Sequence, residues 1–361
     1  MNTIDAKTRW AVLDVLKAVC VIAMVVGHNL IWWYFSYKHG SIVSVSEIST
    51  ARFLFGTIAL FVMSIPITAG MALRFFLRAW WNQKHQKLFS STKPLLGHIF
   101  LTAIFLTTLG FLLNFFTWDT EQLLPYLFSW NVLQFFSVSL IAVALILRFL
   151  NLRFLLAAGS VVLFTAPFLR NIFQSDGVSY LEMIFFGYPN GLHIWPFFPW
   201  FATIVFGFWL ADFFLVRGNK KFNLLLATLG FSLSLFALIG GSFNPTFNPR
   251  DIWGSMLFQP STLHVLGQCG FITLFLLTLN LIFVDRKIAK YGIFNIFSHG
   301  ILYIYLFHFA FGLWLTTLLR PTEKLIFLFL SLLIQFTISY LIGVLVVFLK
   351  TRTKLLFDNS N

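Results

Sequence analysis

The chain has 361 residues, of which 59% are hydrophobic and 10% charged, with 48 Phe and 12 Trp and a mean hydropathy of +0.86. A soluble fold of this length has too little interior for so much apolar surface, so the composition excludes a soluble enzyme or binding domain and defines an integral membrane protein. The net charge of +13 does not point to nucleic acid, because the basic residues punctuate apolar runs instead of forming a patch.

The first apolar run, residues 9–34 (RWAVLDVLKAVCVIAMVVGHNLIWWY), is long enough to cross a bilayer and reads as a retained helix rather than a cleaved leader. Within it Asp14, Lys17 and His28 share one helical stripe with Val21 and Met24. Ionisable groups are expensive in lipid, so this stripe is expected to face protein or water and to be functional. His28 lies ~16 Å beyond Lys17 along the axis, so the stripe links the two ends of the helix.

Hydropathy predicts ten spans, at 10–34, 53–74, 95–116, 123–147, 154–170, 195–216, 222–241, 263–284, 294–319 and 325–349, the fifth being short. With a cytoplasmic N-terminus, 18 of the 25 Lys and Arg fall in inside segments and 6 outside, Lys17 being within a span. The positive-inside rule therefore places both termini in the cytoplasm, and the expected location is the cell (inner) membrane. The expected fold is an all-α polytopic bundle of about ten transmembrane helices, a single domain over 1–361.

The inside segment 74–93 (RFFLRAWWNQKHQKLFSSTK) is basic and aromatic. It reads as a positive-inside loop with interfacial Trp80 and Trp81, and as a dock for a phosphorylated cytosolic ligand through Arg74 and Arg78. Outside, residues 171–194 and 242–262 are long connections rich in Gly, Pro, Asn and aromatics, read as either carbohydrate-contacting covers or inert caps. The prolines of IWPFFPW at 194–200 are expected to set a helix start and a bend.

The ninth span carries SHGILYIYLFH at 298–308, with Tyr305 and His308 about one turn apart. Two membrane histidines on different helices, His28 and His308, with tyrosines such as Tyr305 close by, read either as hydrogen-bonded packing residues or as catalytic ones, and His39, in the first outer loop, either as a solvated loop residue or as a member of an outward-facing site. Cys20 and Cys269 lie within spans and read as small core residues. No metal, Walker or dinucleotide pattern is present.

These residues resemble the transmembrane acyltransferase superfamily. Arg9, Asp14, Lys17, Met24 and His28 are similar to its first-helix pattern, with Lys17 where Arg is usual and Ala18 where Gly is common. FVMSIPITAG at 61–70 resembles a Phe-rich run ending in a small Gly turn, and QPSTL at 259–263 a proline-serine helix entry. IWPFFPW resembles a Pro-Trp motif that favours the heparan-α-glucosaminide N-acetyltransferase type over the bacterial family that O-acylates surface polysaccharides.

The resemblance implies transfer of an acyl group, an acetyl in the first instance, from cytosolic acyl-CoA to a sugar hydroxyl or amine on the outer side. No permanently bound cofactor is implied; acetyl-CoA is the donor substrate and a carbohydrate or glycolipid the acceptor, with a homodimer as a candidate assembly. His28 is the expected base or nucleophile, with Asn29 hydrogen-bonding it or an acyl oxygen, His39 as substitute, and Tyr305 and His308 assisting. Arg9, Asp14, Lys17, Arg74 and Arg78 are the expected donor-binding set, with Asp14 and Lys17 either pairing or leaving Lys17 to reach a donor phosphate. The alternative is a transporter or flippase for a sugar or lipid-linked solute, which a polar stripe through ten helices also fits. Against it stand the absence of an internal repeat and of paired Gly/Pro-broken helices.

Overall fold

A computed structural model describes residues 11–37, 58, 60–83, 93–116, 129–173, 180–186, 195–217, 220–239, 260–283, 292–319 and 325–358. Among them the regular elements are α-helices: α1 (Ala11–Tyr37), α2 (Ile65–Gln83), α3 (Lys93–Phe116), α4 (Val132–Phe149), α5 (Leu152–Phe173), α6 (Tyr180–Phe186), α7 (Phe197–Arg217), α8 (Lys220–Ile239), α9 (Thr262–Phe283), α10 (Ile293–Leu319) and α11 (Leu325–Asp358). Among the described residues nine helices are long and apolar enough to cross a membrane, the architecture expected when every backbone polar group must be satisfied within its own segment. The protein is thus an all-α, multi-pass bundle.

The fifth and seventh spans exchange the lengths that hydropathy predicts. The fifth, expected to be short, is the 22-residue α5. The seventh is the short one, because the apolar part of α8 covers only Asn223–Ile239. Residues 74–83, expected to be loop, continue α2 for almost three turns: nothing in RFFLRAWWNQ breaks a helix.

Exposed apolar side chains recur at helical spacing, as with Phe154, Val161, Phe164 and Phe168 on α5, while Leu155, Val162 and Ala166 of the same helix are buried. The outer stripe suits lipid and the inner one protein.

The helices form two compact units, Trp10–Ile65 with Leu279–Asn361, and Met1–Arg9 with Pro66–Thr278. In the larger unit a polar seam joins α3 to α4. Asn131 caps α4 with a capping box through Gln134, and its Nδ2 donates to Gly110 O at 3.1 Å and Asn114 Oδ1 at 2.8 Å. Thr107 Oγ1 donates to Ser137 Oγ at 2.8 Å, and Ser137 Oγ to Ala103 O at 2.7 Å. In lipid, such side-chain bonds supply helix association that the hydrophobic effect does not.

Elsewhere in that unit α2 crosses α7 at two glycines. A Cβ on Gly70 would lie 2.0 Å from Ile204 O, and one on Gly207 would lie 2.0 Å from Ile67 O. The resemblance suggested a turn at Gly70; the residue is instead mid-helix, and it is glycine because two backbones touch there.

The described part of IWPFFPW, WPFFPW at 195–200, forms the start and bend expected of it. α7 begins at Phe197 and has non-helical dihedrals at Phe198. Trp195, buried, holds a left-handed φ of 69°, a conformation L-residues adopt only when neighbours impose it. Trp130 Nε1–H donates to its carbonyl at 2.9 Å, and its ring lies 4.6 Å from that of Trp200. Phe198 is also held from α5, where buried Arg170 donates to three carbonyls: Phe186 at 2.9 Å, Pro260 at 2.8 Å and Phe198 at 3.3 Å. At QPSTL, α9 starts at Thr262, and Ser261 Oγ accepts the His264 N–H at 3.0 Å, the cap that a serine at a helix entry provides.

The smaller unit contains α1, α10 and α11. α10 and α11 approach closely at two glycines: a Cβ on Gly300 would lie 3.0 Å from Gly343 Cα, and one on Gly343 would lie 2.4 Å from Ile296 Cγ2. Helix α1 meets α10 at Asp14–Ser298 and again at His28–His308. Both numbers rise together, so the two helices run parallel.

Candidate functional site

The polar stripe of α1 faces protein. Asp14, Val21 and Met24 are buried, and Lys17 and His28 are partly so. Toward the start of the helix, Ser298 Oγ donates to Asp14 Oδ1 at 2.7 Å, so the buried carboxyl group has a hydrogen-bond partner on α10.

Fourteen residues further along α1, His28 Nδ1 lies 2.9 Å from His308 Nε2, with the two rings 5.1 Å apart and inclined by 21°. The direction of this hydrogen bond follows from its far end. His308 Nδ1 lies 2.9 Å from Ile304 O, a carbonyl that only accepts. Neutral His308 therefore carries its proton on Nδ1 and presents a lone pair at Nε2, so His28 donates from Nδ1. The basic lone pair of His28 then sits on Nε2. Two helices thus fix one tautomer of one imidazole.

Aromatic rings enclose the pair. Phe309 meets the His28 ring edge-on at 5.2 Å and 88°, and the Tyr305 ring lies 5.8 Å from that of His308. Tyr305 and His308 are three apart on α10, so both reach the α1 face.

Asn29 departs from expectation. Adjacent helical residues point ~100° apart, and the Asn29 amide turns to α11 rather than to the imidazole. Its Nδ2 donates to Val25 O at 2.8 Å and Gln335 Oε1 at 2.7 Å, and its Oδ1 accepts from Ser331 Oγ at 2.8 Å. Sequence reading missed Gln335 and Ser331. The signal was present: Ser331, Gln335 and Ser339 recur every four residues in an apolar span, and all three are buried.

Of the expected donor-binding residues, Arg74 lies in the larger unit, where its Nε donates to Asp212 Oδ1 at 2.8 Å and its Nη2 pairs with the same oxygen. Asp212, on α7, was not singled out in the sequence. Arg78 lies one turn further on α2. Arg9 and His39 lie outside the described residues. Cys20 and Cys269 are buried free thiols. Among the described residues no group of three or more His, Cys, Asp or Glu is placed to hold a metal ion.

Fold and site together define a polytopic membrane protein with a hydrogen-bonded imidazole pair held between parallel helices. The family model for the catalytic region of heparan-alpha-glucosaminide N-acetyltransferase matches residues 9–243, well over half of the chain, and the protein belongs to that family of transmembrane acetyltransferases. The match covers His28 and Asn29, while His308, Ser331 and Gln335 lie beyond it. A comparison with curated proteins found no match.

Proposed function

We propose that the protein moves an acetyl group from cytosolic acetyl-CoA to a sugar hydroxyl or amine on the outer side of the cell membrane, with His28 as the general base. The observation that carries this reading is the His28–His308 hydrogen bond, which sets the lone pair of His28 on Nε2. Nε2 takes the proton of the acceptor hydroxyl or amine as its oxygen or nitrogen attacks the thioester carbonyl. The carbon–sulfur bond breaks, and the same proton passes to the departing CoA thiolate. During the step His28 is an imidazolium, and its Nδ1–H bond to His308 becomes charge-assisted and stronger. General-base assistance of this kind contributes ~10²–10⁴-fold in rate.

The donor enters from the cytoplasmic side, where Arg9, Lys17, Arg74 and Arg78 are assigned to its phosphates and Asp14 to orienting Lys17. The 18-to-6 distribution of basic residues supports cytoplasmic termini. The parallel run of α1 and α10 agrees with their being odd-numbered spans in that topology. A carbohydrate or glycolipid acceptor approaches from the other side, on which hydropathy puts His39. The test is acetyl transfer from radiolabelled acetyl-CoA to glucosamine by the detergent-purified protein. His28→Ala is expected to lower the rate at least ~100-fold with acetyl-CoA binding unchanged; wild-type activity in that variant would remove His28 from the mechanism.

A further inference from the structure

The amide network beside His28 ends in a donor that nothing among the described residues accepts. Val25 O only accepts, so the Asn29 atom facing it is Nδ2, and Asn29 Oδ1 consequently meets the Ser331 hydroxyl. Since Nδ2 also faces Gln335, the Gln335 atom at 2.7 Å is the acceptor Oε1. The chain of bonds thus has one orientation only. It leaves Gln335 Nε2, with two N–H groups, buried and without a partner among the described residues, at a position that is 1% exposed.

Two other buried amides, Gln134 and Asn114, are engaged at both ends. Gln134 accepts the Asn131 N–H at Oε1, 3.1 Å away, and donates from Nε2 to Ser129 O at 3.4 Å. Asn114 Nδ2 donates to Ser129 O at 2.7 Å, and its Oδ1 accepts from Asn131. Asn114 thereby ties α3 to the start of α4, and Gln134 braces that same start through its oxygen and nitrogen alike. Gln335 differs from these two: its oxygen is held by Asn29, and its nitrogen has no partner among the described residues. A buried donor of this kind is costly unless an acceptor arrives, and the residue holding Gln335 in place is the chain neighbour of His28.

We propose that Gln335 is a substrate-contacting residue of the acyl-transfer site, its Nε2 donating to an uncharged oxygen of the reactants. That oxygen is either the acyl carbonyl of the donor or a hydroxyl or ring oxygen of the acceptor. The inference rests on the acetyl-transfer reading above and adds to it a residue of α11, a helix beyond the part of the chain that the family match covers.

The test compares Gln335→Met with Ser331→Ala, using acetyl-CoA and glucosamine as the two substrates. Both variants remove one hydrogen bond from Asn29, whose Nδ2 keeps Val25 O in each case, but only the first removes the unused donor. Gln335→Met is expected to lose about 10- to 100-fold in kcat/KM, as removal of one substrate hydrogen bond does, while Ser331→Ala stays within about threefold of wild type by the same reasoning. A raised KM for acetyl-CoA assigns the contact to the donor, and a raised KM for glucosamine assigns it to the acceptor. A fall in kcat alone assigns it to the carbonyl oxygen as it gains charge in the transition state. Gln335→Leu repeats the comparison, with thermal unfolding in detergent confirming that each variant is folded. Gln335 variants no worse than Ser331→Ala, alongside inactive His28→Ala, would overturn this inference and leave the general-base reading intact. An inactive, folded wild type would overturn both.

Discussion

Replacing His308 by leucine removes the acceptor for His28 Nδ1–H while keeping a side chain of similar bulk between α10 and α1. Ile304 O loses only its bond from the His308 ring, and as a mid-helix carbonyl it keeps its backbone partner, so folding should survive. The imidazole of His28 is then free to place its proton on either nitrogen, and the imidazolium formed during transfer loses a charge-assisted hydrogen bond. Bonds of that type contribute about 1.5–3 kcal/mol, equivalent to roughly 10- to 150-fold in rate. Single-turnover transfer from labelled acetyl-CoA should slow by that factor in His308→Leu, with no change in acetyl-CoA affinity. His308→Gln offers a carbonyl oxygen near the position of Nε2, 2.9 Å from His28 in the native protein, and should recover most of the loss. A His308→Leu variant at the wild-type rate, or a His308→Gln variant as slow as His308→Leu, would refute the tautomer argument.

Further outcomes are expected from the packing and the ion pair. Gly207→Ala forces a Cβ to within 2.0 Å of Ile67 O, so α2 and α7 must separate; thermal unfolding in detergent should show a loss of ~1–3 kcal/mol or more, and an unchanged midpoint would mean that the crossing is not close in solution. Arg170→Leu leaves the Phe186, Pro260 and Phe198 carbonyls without this donor and should destabilise by ~2 kcal/mol or more, whereas Lys in its place should restore only part, because an ammonium lacks the planar fork. The same unfolding assay reads both. Arg74→Ala should raise the KM for acetyl-CoA, while Asp212→Ala, which releases the same guanidinium from its partner, should not; equal effects from the two would assign the pair to structure alone. As a partly exposed pair it contributes ~1 kcal/mol or less to stability.

The site's two imidazoles were legible in the sequence because an ionisable residue is costly to hold in an apolar run and is retained there for a role. Hydropathy alone placed His28 and His308 on odd-numbered spans, but nothing in it says that two helices 280 residues apart in sequence lie side by side. The partner of Asn29 was not legible for the same reason: Gln335 becomes meaningful only once α1 and α11 are in register, and an amide in a span attracts less notice than a charge. Gly70 shows the converse, since a glycine after a proline-containing stretch suits a turn on local grounds, whereas the contact with Ile204 that requires it is tertiary. The basic segment from Arg74 suggested a loop by its charge, yet charge does not break a helix, and Asp212 on α7 gives Arg74 a reason to lie on one.

The most direct test of the account places acetyl-CoA and glucosamine on opposite sides of a proteoliposome membrane containing oriented protein. The account predicts that N-acetylglucosamine forms in the glucosamine compartment with wild type and not with His28→Ala. Product formed only when both substrates share one compartment, or formed across the membrane by His28→Ala, would contradict it.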